Sequence, residues 1–152
     1  MNPAIALVNA DATPLEVIEY PSVRLAFMDN EHRGLAILHS ELSQAISVDK
    51  PSIASVDALI EQLLAHLSQH FAHEERAMKA VDYPYTALHR QQHRRALENT
   101  ALYVGRWKRQ RNVWALRDFV DGAFAKWFSH HVRNADTAAA LFIAHYKEKE
   151  AA

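Results

Sequence analysis

The stretch IASVDALIEQLLAHLSQHFAHEERAMKAVDYP, residues 53–84, decides the fold. Ile53, Val56, Ile60, Leu63, Leu67, His70, Glu74 and Ala77 recur at gaps of three or four, which is one helical face turned inward. VDYP (81–84) breaks the pattern, with Pro84 placed to open a following helix. Two members of this stripe are polar, and one of them is a carboxylate. A buried carboxylate with no partner is strongly disfavoured, so Glu74 needs something to face.

The same period extends to both sides. Upstream, His32, Leu35, His39, Leu42 and Ile46 form a stripe that VDKPS (48–52) interrupts. Downstream, His89, His93, Ala96, Thr100, Tyr103 and Trp107 share a face until RQRN (109–112), where Asn112 is a candidate N-cap. A fourth helix runs through Val113, Leu116, Val120, Phe124, Trp127 and His131. Residues 1–28 hold Pro3, Pro14 and Pro21 without sustained periodicity and read as an extended arm. The expectation is an all-α, up-down-up-down four-helix bundle over residues 29–152, preceded by that arm.

Composition agrees. A chain of 152 residues suits one domain with a sizeable core, and 49% hydrophobic with 23% charged residues is ordinary globular usage. Three Gly stand where average usage gives roughly ten, which favours long helices over a turn-rich β fold. With no Cys, disulfides, iron–sulfur clusters and thiolate zinc sites are excluded. A net charge of −1 argues against a nucleic-acid partner, and the run GRWKRQR (105–111) reads as a solvated helix end. No apolar run is long enough for a membrane span. The first basic residue is Arg24, so no secretory signal is read and a cytoplasmic monomer is expected.

Ten histidines are the unusual count, and their places are more telling than their number. His32, His70, Glu74, His89, His93 and His131 all occupy inward positions, spread over four helices. His32 to His70 and His93 to His131 are both 38 residues, with midpoints at the turns near Pro51 and Asn112. The Glu74–His89 midpoint falls between Val81 and Asp82, again in a turn. In antiparallel hairpins this places all six at one level. His70 with Glu74 and His89 with His93 are i, i+4 pairs, the spacing of metal ligands on one face. Asp136 follows His131 by five residues: in a regular helix it faces solvent, and it joins the layer through a π-like turn or a helix end near Asn134. His66 and His73 flank the second stripe as surface or supporting residues. His39 reads as a hydrogen-bonded core histidine or a relay; His130 and His145 have no pattern.

Five imidazoles and two carboxylates are too many for one ion. Two octahedral ions bridged by both carboxylates and an oxide or hydroxide use the full set and leave one position for a small ligand. Imidazole with carboxylate suits iron or manganese rather than tetrahedral zinc. The segments MDNEH (28–32), HFAHEERAM (70–78), YPYTALHRQQH (83–93) and WFSHHVRNAD (127–136) resemble the successive motifs of the hemerythrin family, most closely its single-domain bacterial branch, the bacteriohemerythrins. The resemblance covers most of residues 28–136. It implies that His89, His93 and His131 hold one iron and His32 and His70 the other, with Glu74 and Asp136 bridging. It further implies two iron ions (Fe2+/Fe3+) with a bridging oxide or hydroxide, dioxygen as ligand at the two-histidine iron, and Trp127 lining its pocket.

The implied function is reversible dioxygen binding for storage, transport or delivery to an oxygen-requiring enzyme, with a reductase as a further partner and no enzymatic turnover. The alternatives are a di-iron enzyme reducing peroxide, nitric oxide or dioxygen, and an oxygen or redox sensor. TAAAL after Asp136 lacks the aromatic that many relatives carry there, and the arm has no tryptophan.

Overall fold

The computed structural model describes residue 18 and residues 20–152. Helix α1 is Ala26–Ile46, α2 is Ile53–Ala80 and α3 is Thr86–Gln110. A fourth helix, α4 (residues 113–151), is continuous but changes pitch along its length. The described residues contain no strand, and α1 packs on α2, α2 on α3, and α4 on α1 and α3. The expected all-α four-helix bundle is what forms. No helix is long and apolar enough to cross a membrane among the described residues.

Local chemistry sets the helix ends. Ser52 caps α2 by accepting from the Ser55 amide at 3.3 Å. Asn112 caps α4 by accepting from the Ala115 amide at 3.1 Å, as its sequence position suggests. Pro84 lies in the turn two residues before α3 and does not itself open the helix. Arg111 closes α3 in the left-handed region (φ 50°), which non-glycine residues adopt at a cost. Its guanidinium lies over Trp107 and bonds Asp57 at 2.6 Å, while the Trp107 indole N–H donates to the same carboxylate at 2.8 Å. The basic run 105–111 therefore closes a helix end against α2.

Expected residues 1–17 and 19 of the arm lie outside the described residues. Of the described arm residues Ile18 and Val23 are buried, Arg24 bends the chain in the left-handed region (φ 59°), and α1 begins at Ala26, three residues before the expected Asp29, so that residues 26–28 are helix. Asp29 sits in the first turn, where its carboxylate accepts from the Val23 amide (2.9 Å) and the Ser22 hydroxyl (2.6 Å). A carboxylate there also faces the positive end of the helix dipole. Farther along α1, Gly34 lets α2 come close: a Cβ at that position would lie 2.5 Å from His66 Cε1.

The pitch of α4 answers a sequence feature. Leu116, Val120, Phe124, Phe128, Val132, Asp136 and Ala140 are all buried, a strict spacing of four. An α-helix overshoots a four-residue repeat by about 40° per step, or about 240° over six steps. Two wide, π-helical turns, Asp118–Phe124 and Val132–Asp136, each take in an extra residue, and together remove about 200° of it. Consequently Phe128 is buried where the three-and-four stripe placed Trp127, which is half-buried one residue earlier. Ile53 likewise departs from its expected inward place and is 47% exposed in the first turn of α2.

Candidate metal centre

Seven side chains from four helices meet in the interior. α1 supplies His32, α2 supplies His70 and Glu74, α3 supplies His89 and His93, and α4 supplies His131 and Asp136; none is more than 4% exposed. The second wide turn of α4 carries Asp136 inward, removing the offset that five residues from His131 would leave in a regular helix. Thr137 donates its hydroxyl to the Val132 carbonyl within that turn at 2.8 Å.

The donors separate into two sets. In one, His89 Nε2 and His93 Nε2 stand 3.1 and 3.2 Å from His131 Nε2. Asp136 Oδ1 lies 2.9 Å from His89 and 3.0 Å from His131, and Glu74 Oε2 lies 3.4 Å from His89 and 3.2 Å from His93. In the other, His70 Nε2 is 2.8 Å and His32 Nε2 3.5 Å from Glu74 Oε1, with Asp136 Oδ2 2.9 Å from His32. Within each set the donor atoms lie within 4.8 Å of one another. Each carboxylate turns one oxygen to each set.

This arrangement is unsatisfied by protein alone. Glu74 Oε1, Glu74 Oε2 and Asp136 Oδ1 are buried without a hydrogen-bond partner, although ring nitrogens crowd around them. Several nitrogens and carboxylate oxygens thus converge on the same two interior points. Neighbouring ligands on an octahedral ion with bonds near 2.1 Å are about 3 Å apart, which is the spacing seen here. Nitrogen and oxygen donors in this number fit cations and do not fit a hydrophobic interior.

Electrostatics point the same way. Burial works against ionised Glu74, but the imidazoles of His32, His70, His89 and His93 hold its carboxyl well below the usual range. Burial and the charge of Glu74 also oppose ionised Asp136, yet His131, His32 and His89 hold it low. Burial disfavours charge on His70, but Glu31 and Glu74 push it up to about 10. For His89, Asp136 and Glu74 overcome burial and raise it to about 9. Burial keeps His131 below its ordinary value. Without a cation, the two carboxylates hold protons on neighbouring rings in its place.

Outside the cluster lie charged groups that are not on the inward stripes. Glu75 Oε1 is 3.0 Å from His93 Nδ1, with Arg90 3.5 Å from its other oxygen. Glu31 faces His73 Nδ1 at 3.0 Å and His70 Nδ1 at 3.6 Å. His73, flanking the second stripe, is therefore a supporting residue, while His66 packs on Gly34. The only sequence signal for either glutamate is its place directly beside a cluster residue, His32 or Glu74.

Aromatic rings enclose the donors. Phe71 stacks on His93 (3.9 Å, 6°) and Trp127 on His131 (4.6 Å, 16°). Tyr20 and Phe128 each meet His32 edge-on at 5.8 Å. Trp127 thus sits against the three-histidine set, while Tyr20 and Phe128 stand beside the two-histidine set. On its outer side Trp127 borders a half-open groove of about 600 Å³ between α3 and α4, lined also by Phe119, Phe124 and Thr100. His130 and His145 are exposed, and His130 pairs with Asn134.

Comparison with known proteins gives a consistent picture. The family described as Hemerythrin HHE cation binding domain matches residues 23–140. A bacteriohemerythrin of Aquifex aeolicus (strain VF5) is 25% identical over 114 residues, 75% of this chain and 86% of that protein. One from Pseudomonas aeruginosa (strain LESB58) is 26% identical over 109 residues, 72% of this chain and 68% of that protein. One from Stenotrophomonas maltophilia (strain R551-3) is 25% identical over 119 residues, 77% of this chain and 73% of that protein. No solved structure gives a significant match.

Proposed function

The chain belongs to the hemerythrin family, and on that premise we propose that it holds two iron ions and binds dioxygen reversibly, for storage or delivery. The observation that carries this reading is the division of the seven donors. Three imidazoles and two carboxylate oxygens face one point, two imidazoles and two carboxylate oxygens face the other. The side of His32 and His70 therefore offers one imidazole fewer, and a small exogenous ligand would complete it. When bound, a ferrous pair supplies the two electrons that dioxygen takes up and returns.

The chain's own residues prepare that chemistry. Glu75 accepts the outward Nδ1 proton of His93, which leaves the inward Nε2 free to ligate. Glu31 stands on the same side of His70. Glu74 and Asp136 stay ionised and spread their charge over both sets. Phe71, Trp127, Phe128 and Tyr20 exclude water from the rings they touch, which favours return of the bound gas over loss of electrons to solvent. Five imidazoles against two carboxylates give less anionic charge than a carboxylate-rich site, which disfavours high-valent iron and turnover.

Metal analysis and oxygen cycling test this together. The loaded protein is expected to contain two irons per chain and to show a visible spectrum that bleaches on deoxygenation and returns over many cycles. One zinc per chain overturns the di-iron reading. Steady consumption of dioxygen or peroxide with a reductant overturns the carrier reading in favour of an enzyme.

A further inference from the structure

His39 is fully internal, 2% exposed, yet it lies one heptad from His32 and outside the cluster. Its Nε2 stands 2.7 Å from the carbonyl oxygen of Val120, inside the first wide turn of α4. Its Nδ1 is buried without a partner. A ring with one satisfied nitrogen and one bare one is neutral, with its proton on Nε2 and donated to that carbonyl. Burial, the largest influence on this ring, favours the same neutral form.

One turn farther along α1, Ser43 donates to Asp121 at 2.6 Å. α1 therefore grips the wide turn at two consecutive residues. The His39 ring also stacks on Phe124 (5.9 Å, 12°), Phe124 on Phe128 (6.3 Å, 5°), and Phe128 meets His32 at 5.8 Å. The grip is thus continuous with the wall of the cluster. Wide turns are rare and need outside support, since they give up regular α-helical hydrogen bonding. The second wide turn is held from within α4 itself, by the bond from the Thr137 hydroxyl to the Val132 carbonyl.

We propose that His39 is a positioning residue: by donating to Val120 it holds α4 in the wide turn that brings Phe128 and His131 to the cluster. If that turn reverts to α-helical pitch, the downstream helix rotates by about 100° relative to the segment before it. Phe128 then leaves its seat beside His32, and His131 turns away from His89 and His93. This role differs from that of an ordinary core histidine, whose loss loosens packing without changing helical register. It depends on the proposed function only for its effect on iron, and the test begins without metal.

His39→Leu keeps apolar bulk and removes the donor, whereas His39→Gln keeps an N–H at a similar reach. Hydrogen exchange and near-ultraviolet circular dichroism are measured on metal-free protein; the Trp127 part of the latter is the difference from the same chain carrying Trp127→Phe, since Trp107 and Trp114 contribute the rest. In His39→Leu, amides of residues 118–126 are expected to exchange about tenfold faster or more, with α2 and α3 unchanged and the Trp127 signal reduced. His39→Gln is expected to restore both, and iron content after loading should follow the same order. Native exchange and native Trp127 signal in His39→Leu overturn the proposal. So does loosening spread evenly over all helices, or equal damage in both variants.

Discussion

Glu74 and Asp136 face each other's histidines: both turn an oxygen to His89 Nε2, at 3.4 and 2.9 Å, and both turn the other to His32 Nε2, at 3.5 and 2.9 Å. Neither carboxylate belongs to one donor set, so removing either damages both. Glu74→Ala is expected to reduce metal from two ions per chain to near zero, read by elemental analysis after desalting. His66→Ala, on the same helix but against Gly34, should still load two. Retention of one full ion in Glu74→Ala contradicts the shared role.

Cation uptake should release protons. In the metal-free fold His70 titrates at about 10 and His89 at about 9, so both rings are charged at pH 7. A cation needs their Nε2 lone pairs and must displace those protons. Affinity is therefore expected to rise with pH from neutrality until the two rings titrate, between about 9 and 10. Calorimetry in buffers of different ionisation enthalpy measures the protons released, and a count near zero at pH 7 refutes the assignment.

Glu75 supports His93 from outside the cluster at 3.0 Å. Glu75→Gln should weaken metal binding by roughly 10–100-fold, measured by competition with a chelator, and leave helical content unchanged. An unaltered affinity would show that His93 is oriented by packing on Phe71 alone.

Gly34 and His66 should behave as a coupled pair. Gly34→Ala alone places a methyl 2.5 Å from His66 Cε1 and is expected to cost about 1–3 kcal/mol in chemical denaturation. In a His66→Ala background the same change should become neutral or gain up to about 1 kcal/mol, because alanine is the better helix former. Equal effects in the two backgrounds would mean that the close approach does not limit this site.

The bundle and the cluster were legible for one reason: polar residues at inward positions cannot be explained by solvent, and equal 38-residue spacings put them on one level. The three-and-four period failed in α4, where Phe128 replaces Trp127 on the buried line. There a repeat of four from Leu116 to Ala140 signals the wide turns, but it shows only when the whole helix is scanned. The same signal makes Asp136 an inward residue. Glu31 and Glu75 escaped because an outward-facing carboxylate is ordinary on any helix, and only tertiary contact distinguishes these two. Tyr20 escaped because an extended arm has no period from which a face can be read.

The bond between His32 and Asp136 joins residues 104 apart in sequence. Considered as a chain crossing rather than a binding site, it closes a loop containing most of the molecule. A cation held by both ends is then a removable cross-link, and a permanent link around a loop of about 100 residues stabilises a fold by on the order of 4–5 kcal/mol through the entropy of the unfolded chain. A held cation would thus bar α4 from leaving while α1 stays.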